Sequence, residues 1–414
     1  MHFDELKVSN WRQFESVSLD LSGQTTILTG TNGCGKTTLL NLLSKHFGWN
    51  LNVVSTPFTS KRYGRKLFSD FLRKKSSDLL EDSISINSQQ VIGQIRYSNQ
   101  VVNSILTPPN SSETPQYQVV FQQQQAVNGM HIPSHRPAAV YQAVTSIPTN
   151  PKTYQQHYQE FQTVMLQTYS ATNSQKKPSM VLKESLISLA VFGPGNNAVE
   201  SNDEYLKIFE KFQNILRQIM PETIGFQRIE IRMPDVVLIT DSGDFSLDAM
   251  SGGINALLGI AWQILMCSMG TENTTIIIDE PENHLHPRMQ RTLLPSLERA
   301  FPNTRFIIAT HSPFIVTSNP RATVYGLTNS NGGGICSKLL SEIQLASSPD
   351  KILREVLDVP STSPVWVENK VKSILAKYKH MEPTAQTAKS IYEELSEFGL
   401  TDSLSDFGLN SSEE

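Results

Sequence analysis

Hydrophobic and polar positions alternate over Phe3–Val8 and again over Val17–Leu21, with Asn10 to Phe14 between them and a Gly23 turn after, so the chain opens as two strands. A third strand is predicted over Thr25–Leu28. Leu39, Leu40, Leu42 and Leu43 then recur at helical spacing. From about residue 50 to 130 the chain is poor in charge and rich in Ser, Asn and Gln, with strand-like pieces at Val91–Tyr97 and Tyr117–Phe121. Gln122–Gln125 is short enough for an ordinary polar strand or turn. Met130–Pro137 reads as an apolar strand ending in a polar, proline-bounded tip. Helical patterns follow over Tyr154–Tyr169, Val181–Val191 and Asp203–Met220, the last with Leu206, Phe209, Phe212, Leu216 and Ile219 on one face. No heptads are sustained, which argues against a long coiled-coil arm. Ile229–Arg232 and Val236–Thr240 alternate, turn at Asp241–Asp244 and return as Phe245–Leu247. An apolar helix from Ala256 to Leu265, buried strands over Thr274–Asp279 and Arg305–Thr310, and helical pieces at 352–357, 365–371 and 391–395 complete an α/β pattern.

Composition narrows the picture a little. A chain of 414 residues has room for a large core plus an insertion or second domain, and a net charge of −4 does not by itself call for nucleic acid. The basic run Lys61, Arg62, Arg65, Lys66, Arg73, Lys74 and Lys75 reads either as a solvated helix face or as part of a nucleic-acid groove. Cys34, Cys267 and Cys336 lie far apart, with neither disulfide nor zinc spacing. The amino terminus has no basic region leading into an apolar one, and no run of 18 apolar residues occurs; the expectation is a soluble, cytoplasmic protein without a membrane partner.

The chemistry is concentrated in four places. Gly30, Thr31, Asn32, Gly33, Cys34, Gly35, Lys36, Thr37 and Thr38 stand between a strand and a helix with the spacing G-x-x-x-x-G-K-[ST]. Such a loop curls its N–H groups around nucleotide phosphates, with Lys36 toward the β- and γ-phosphates and the Thr37 hydroxyl placed for Mg²⁺. Ser251, Gly252 and Gly253 open the second apolar helix, offering a hydroxyl and unobstructed N–H groups to an anion. The buried strand to Asp279 delivers Asp279 and Glu280, the first suited to a cation and the second to act as general base on an attacking water. The strand to Thr310 delivers His311, which could meet the γ-phosphate or that water. His284 and His286 follow the acids, but no further ligand set accompanies them, and a loop packing near the nucleotide is the better reading.

Phosphate loop, Ser-Gly-Gly helix, Asp-Glu strand and His strand in that order resemble the ABC-type ATPase superfamily. More narrowly, the chain resembles the heads of SMC-type proteins, DNA-recombination ATPases and overcoming-lysogenisation-defect (OLD) nucleases. The run Ile278–Pro287 with Ala309–Phe314 is similar to bacterial ATPases of OLD-like and Septu-type phage defence. The resemblance covers roughly residues 1–50 and 225–330. It implies Mg²⁺-dependent conversion of ATP and water to ADP and phosphate, with Lys36, Glu280 and His311 catalytic and Thr37 and Asp279 at the metal. It also implies a head-to-tail homodimer, or a larger homo-oligomer, in which Ser251, Gly252 and Gly253 cap the γ-phosphate held by the other subunit's Lys36. The family's metal-sensing glutamine has a candidate in Gln142.

Departures from the family shape the rest. About 215 residues separate the phosphate loop from Ser251, more than a transporter cassette needs, and the roughly 100 residues after His311 show no Toprim nuclease acids. The expected organisation is an N-terminal lobe at 1–50, an inserted α+β and helical region at 51–224, a C-terminal lobe at 225–330 and a helical tail at 331–414. The expected fold is a P-loop NTPase head with a mixed sheet and an N-terminal β-hairpin. Two functions stay open: an ATP-driven switch controlling a separate effector, a nuclease or toxin, in antiviral defence, and a repair or recombination ATPase that binds DNA itself.

Overall fold

Strands with no alternating polar face are stable only when both faces are covered, and Thr25–Gly30, Thr274–Asp279 and Thr304–Thr310, rich in Thr and Ile, are such strands, buried almost throughout. In the computed structural model they sit side by side and parallel. Described are residues 1–59, 66–69, 89–108, 115–136, 141–150, 152–169, 176–330, 332–346, 348–359, 361, 363–378 and 384–398. Most of the basic run from Lys61 to Lys75 lies outside them.

Among the described residues eleven strands form one mixed sheet. From one edge they run Val120–Phe121, Val102–Thr107, Gln90–Tyr97, Phe3–Trp11, Phe14–Asp20, Ile335–Leu339, Thr323–Asn329, Thr25–Gly30, Thr304–Thr310, Thr274–Asp279 and Gly129–Ile132. The first five pair antiparallel, the opening hairpin registering Leu6 on Leu19 and Val8 on Val17. The last five pair parallel, with Thr310 opposite Thr29 and Asp279 opposite Ala309. Their carboxyl ends therefore emerge along one edge, where ligands bind in open α/β sheets. Ile335–Leu339 joins the two halves, pairing parallel to Phe14–Asp20 and antiparallel to Thr323–Asn329. The helices expected of 331–414 thus begin only after a strand, because Ile335–Leu339 finds open strand edges on both sides.

The helix Lys36–Ser44 covers this parallel half, with Leu39, Leu40, Leu42 and Leu43 in one core with Leu28, Ile277 and Ile307. In that core Trp11 donates its indole N–H to the Tyr117 hydroxyl at 2.9 Å, so burial of the ring leaves no donor unpaired. Helices Tyr154–Tyr169, Pro178–Phe192, Asp203–Ile219 and Gly252–Ser268 pack on one another around Trp262, which meets Phe212 edge-on at 5.3 Å. A separate three-stranded sheet, Phe226–Arg232, Asp235–Thr240 and Gly243–Ser246, leads through the turn Leu247–Ala249 to Ser251.

The chain divides into two compact units, Met1–Ala346 and Ser347–Glu414. The second carries the helices Pro349–Glu355, Val365–Tyr378 and Ala385–Glu397, with a small core of Val367, Val371, Ile374 and Leu395. Among the described residues, no helix is long and apolar enough to cross a membrane.

Candidate functional site at the sheet edge

The parallel strands deliver four segments next to one another: the loop after Gly30, the tip after Ile132, the acids after Ile278 and His311. The loop's backbone requires its glycines. Gly35 has φ +98°, and a side chain there would also strike the Phe14 ring; Gly30 has φ +146° with the Leu327 carbonyl against it. Lys36 is buried, and its ammonium donates to the carbonyls of Gly30 at 2.9 Å and Thr31 at 3.1 Å. Burial lowers its pKa.

Thr37 donates its hydroxyl to Asp279 Oδ2 at 2.8 Å. The other carboxylate oxygen, Oδ1, is buried with no hydrogen-bond partner, and burial pushes the Asp279 carboxyl up to about 6. A buried, half-satisfied carboxylate beside a hydroxyl is a fitting place for a hard divalent cation.

Glu280 has φ +47°, a strained conformation for a side-chain-bearing residue, and its surroundings hold it there. Its N–H donates to the Ala309 carbonyl at 2.8 Å, and Asn283 donates to Oε2 at 2.9 Å while also reaching the Ser134 carbonyl at 3.1 Å. Arg136 donates to the carbonyls of Glu280 at 3.1 Å, Asn283 at 3.3 Å and Pro281 at 3.4 Å. The tip after Ile132 is thereby laced to the acidic loop. His311 places Nε2 3.8 Å from Glu280 Oε1 and Nδ1 3.4 Å from Lys36 Nζ. Burial and Lys36 lower the imidazole's pKa, so it is neutral near pH 7 and its approach to Glu280 is not an ion pair. Glu282 fixes the His311 strand end, accepting from the Thr310 hydroxyl at 2.8 Å and from the N–H groups of His311 at 2.7 Å and Ser312 at 3.2 Å.

The structure therefore brings Lys36, Thr37, Asp279, Glu280 and His311 into one cluster. Ser251, Gly252 and Gly253 stand elsewhere. Ser251 is exposed at the start of Gly252–Ser268 with no capping hydrogen bond of its own, while Gly253 packs against the His284 carbonyl. Among the described residues no hydrogen bond joins this helix start to the Lys36 loop. Nor does one join Gln142 to Thr37 or Asp279, and its neighbour Tyr141 reaches Asp235 instead, at 3.4 Å. Sequence reasoning gave no role to Ser134, Arg136, Glu282 or Asn283; the signal available was the polar tip at the end of an apolar strand. Among the described residues no group of three or more His, Cys, Asp or Glu suited to a metal occurs, and His286 Nδ1 accepts from the Arg288 N–H at 3.2 Å at the start of Pro287–Ala300.

The buried titrating groups set an acid limit on stability. Burial lowers His46, His131 and His157 each to about 4, and His2 and His311 are lowered as well. Unfolded, these imidazoles bind protons below their ordinary 6.5, so stability present above that value is lost as pH falls toward 4. Asp279 and Glu282, both raised by burial, oppose this by keeping their protons in the folded chain. The histidines outnumber them. Urea unfolding is expected to lose stability between pH 6.5 and 4.5 at about 1.4 kcal/mol per pH unit for each net proton taken up. A midpoint that stays flat or rises on acidification would refute this balance.

Comparison with known proteins adds a second line. A family model described as "AAA domain" matches residues 5–228, and another, described as "AAA domain, putative AbiEii toxin, Type IV TA system", matches residues 206–317. The chain is 33% identical over 93 residues to "Retron Vc95 probable ATPase" of Vibrio cholerae serotype O1 biovar El Tor, covering 20% of this chain and 18% of that protein. It is 27% identical over 168 residues to "Retron Ec83 probable ATPase" of Escherichia coli, covering 38% and 30%. With the Septu protein PtuA of Bacillus thuringiensis it shares 21% over 165 residues, 36% and 42% of the two chains. Each match spans less than half of the curated relative. Among solved structures, an SMC head domain from Thermotoga maritima aligns with TM-score 0.44 at 12% identity, covering 82% of this chain and 100% of that one.

Proposed function

The chain belongs to the family of AAA domains, whose model spans more than half of it, and from that premise we propose an ATP-driven switch that closes head to tail around ATP and governs a separate effector in antiviral defence. One observation carries the reading: Lys36, Thr37, Asp279, Glu280 and His311 converge at one sheet edge. The names of the retron and Septu relatives support the defence setting.

On this reading Lys36 leaves the carbonyls of Gly30 and Thr31 for the β- and γ-phosphates, while the N–H groups of residues 31–38 line the phosphate chain. Thr37 and Asp279 would hold Mg²⁺, which when bound supplies charge neutralisation at the phosphates. Glu280 takes a proton from the water that attacks the γ-phosphorus, and the bond to the ADP oxygen breaks. Neutral His311 offers a ring nitrogen on the same side. Ser251, Gly252 and Gly253 meet the nucleotide of a second copy, a role in keeping with the exposed Ser251 and Gly252 and with a helix start that has no side-chain cap.

Lys36→Met should weaken ATP binding by about 10–100-fold, the worth of a charge-assisted hydrogen bond, in a fluorescent-nucleotide titration. Unchanged affinity would remove Lys36 from the phosphates. The effector half is tested by purifying the tagged chain from its native operon with ATP and Mg²⁺. A nuclease or toxin recovered in fixed ratio supports the switch, whereas the chain alone with DNA-stimulated turnover overturns it in favour of repair.

A further inference from the structure

Behind the Thr37–Asp279 pair lies a chamber of about 220 Å³, lined among others by Thr37, Trp49, Asn50, His131, Ser134 and Asp279. His131 lies on Gly129–Ile132, opposite Ile277 of the parallel strand that ends at Asp279. Side chains alternate across a sheet, so His131, Ile277 and Asp279 share one face. The imidazole is 5% exposed and stands edge-on to Trp49, with ring centroids 5.1 Å apart. Neither of its nitrogens has a hydrogen-bond partner, and Asp279 Oδ1 has none either.

Buried polar atoms are paired in nearly all folded proteins, so unpaired atoms on two adjacent strands facing one chamber call for a polar occupant. An anion would meet the Asp279 carboxylate and an apolar group would leave every one of these atoms unpaired, whereas water can pair them and a cation drawn by the carboxylate brings water with it. A hydrated divalent cation answers the set: carboxylate and hydroxyl oxygens, with a neutral imidazole beside them.

We propose that His131 belongs to the cation site of Thr37 and Asp279 and gives it a preference for Mn²⁺ over Mg²⁺. This rests on reading Thr37 and Asp279 as cation ligands. Mg²⁺ is served by oxygen ligands alone, whereas an imidazole nitrogen strengthens the hold on first-row transition ions.

The test uses the full chain and MnCl₂ alone, following the loss of the free-ion electron paramagnetic resonance signal, with MgCl₂ as competitor. His131→Leu is expected to weaken Mn²⁺ about tenfold or more while Mg²⁺ stays within about twofold, the usual size of losing a supporting group at a metal. An unchanged ratio of the two affinities overturns the proposal. Asp279→Asn separates the two claims: if it leaves Mn²⁺ binding intact, the site reading itself fails, and if it abolishes binding while His131→Leu does nothing, only His131 fails. Pulsed resonance on the wild-type protein stands apart from any folding defect in the variants. Imidazole nitrogen coupling to bound Mn²⁺ supports the proposal, and its absence overturns it.

Discussion

Glu280→Gln should lower ATP turnover by about 10²–10⁴-fold, the range for loss of a general base, while ATP stays bound and holds two copies together. The structure makes this a clean substitution. Asn283 donates to Glu280 Oε2, and a glutamine carbonyl oxygen can accept the same hydrogen bond. The backbone ties, Glu280 N–H to Ala309 and Arg136 to the Glu280 carbonyl, do not involve the side chain at all. What changes is the ability to take a proton. Single-turnover hydrolysis and size-exclusion chromatography with ATP would read both halves. Turnover equal to wild type would remove Glu280 from that role, and loss of nucleotide binding would mean that the substitution acts through structure.

The second large effect lies away from the cluster. Lys183, on the helix Pro178–Phe192, is wholly buried and pairs with Asp248 at 2.5 Å and Asp235 at 3.2 Å, with the Tyr141 ring 5.2 Å from its ammonium. Lys183→Met would leave Asp248 buried without its cation, at a cost of about 3–5 kcal/mol, visible as a lowered urea midpoint. Adding Asp248→Leu removes the stranded charge and should recover much of the loss. A single variant as stable as wild type would show that the pair contributes little. Because Asp248 sits in the turn three residues before Ser251, the single variant should also loosen the presentation of that serine, and ATP-induced dimerisation should weaken with it.

Much of this was legible from residue order. A run such as Thr274–Ile278, β-branched at every position, reads as a covered strand, and parallel strands deliver their ends to a common edge. That logic brings Lys36, Asp279 and His311 together before any coordinates. The helices Tyr154–Tyr169 and Asp203–Ile219 were equally plain, since their periodicity is local. Ile335–Leu339 was not, because its partners are Phe14–Asp20 and Thr323–Asn329, and nothing local distinguishes an edge-seeking strand from the start of a tail. Arg136 and Asn283 escaped for a related reason: each works through backbone carbonyls or through residues brought near only by the folded sheet. Lys183 sat within an apolar helical pattern, and its acids lie 52 and 65 positions further on.

The order of strands in the sheet also governs when the molecule can exist. Thr25–Gly30 is made before the rest of the parallel half, and both its neighbours, Thr304–Thr310 and Thr323–Asn329, come from beyond residue 300. Until they are synthesised, the phosphate loop hangs from an unpaired strand with no Asp279 or His311 beside it. Nucleotide affinity should therefore appear only once Thr323–Asn329 has been made, so that chains cut short before it are inert toward ATP.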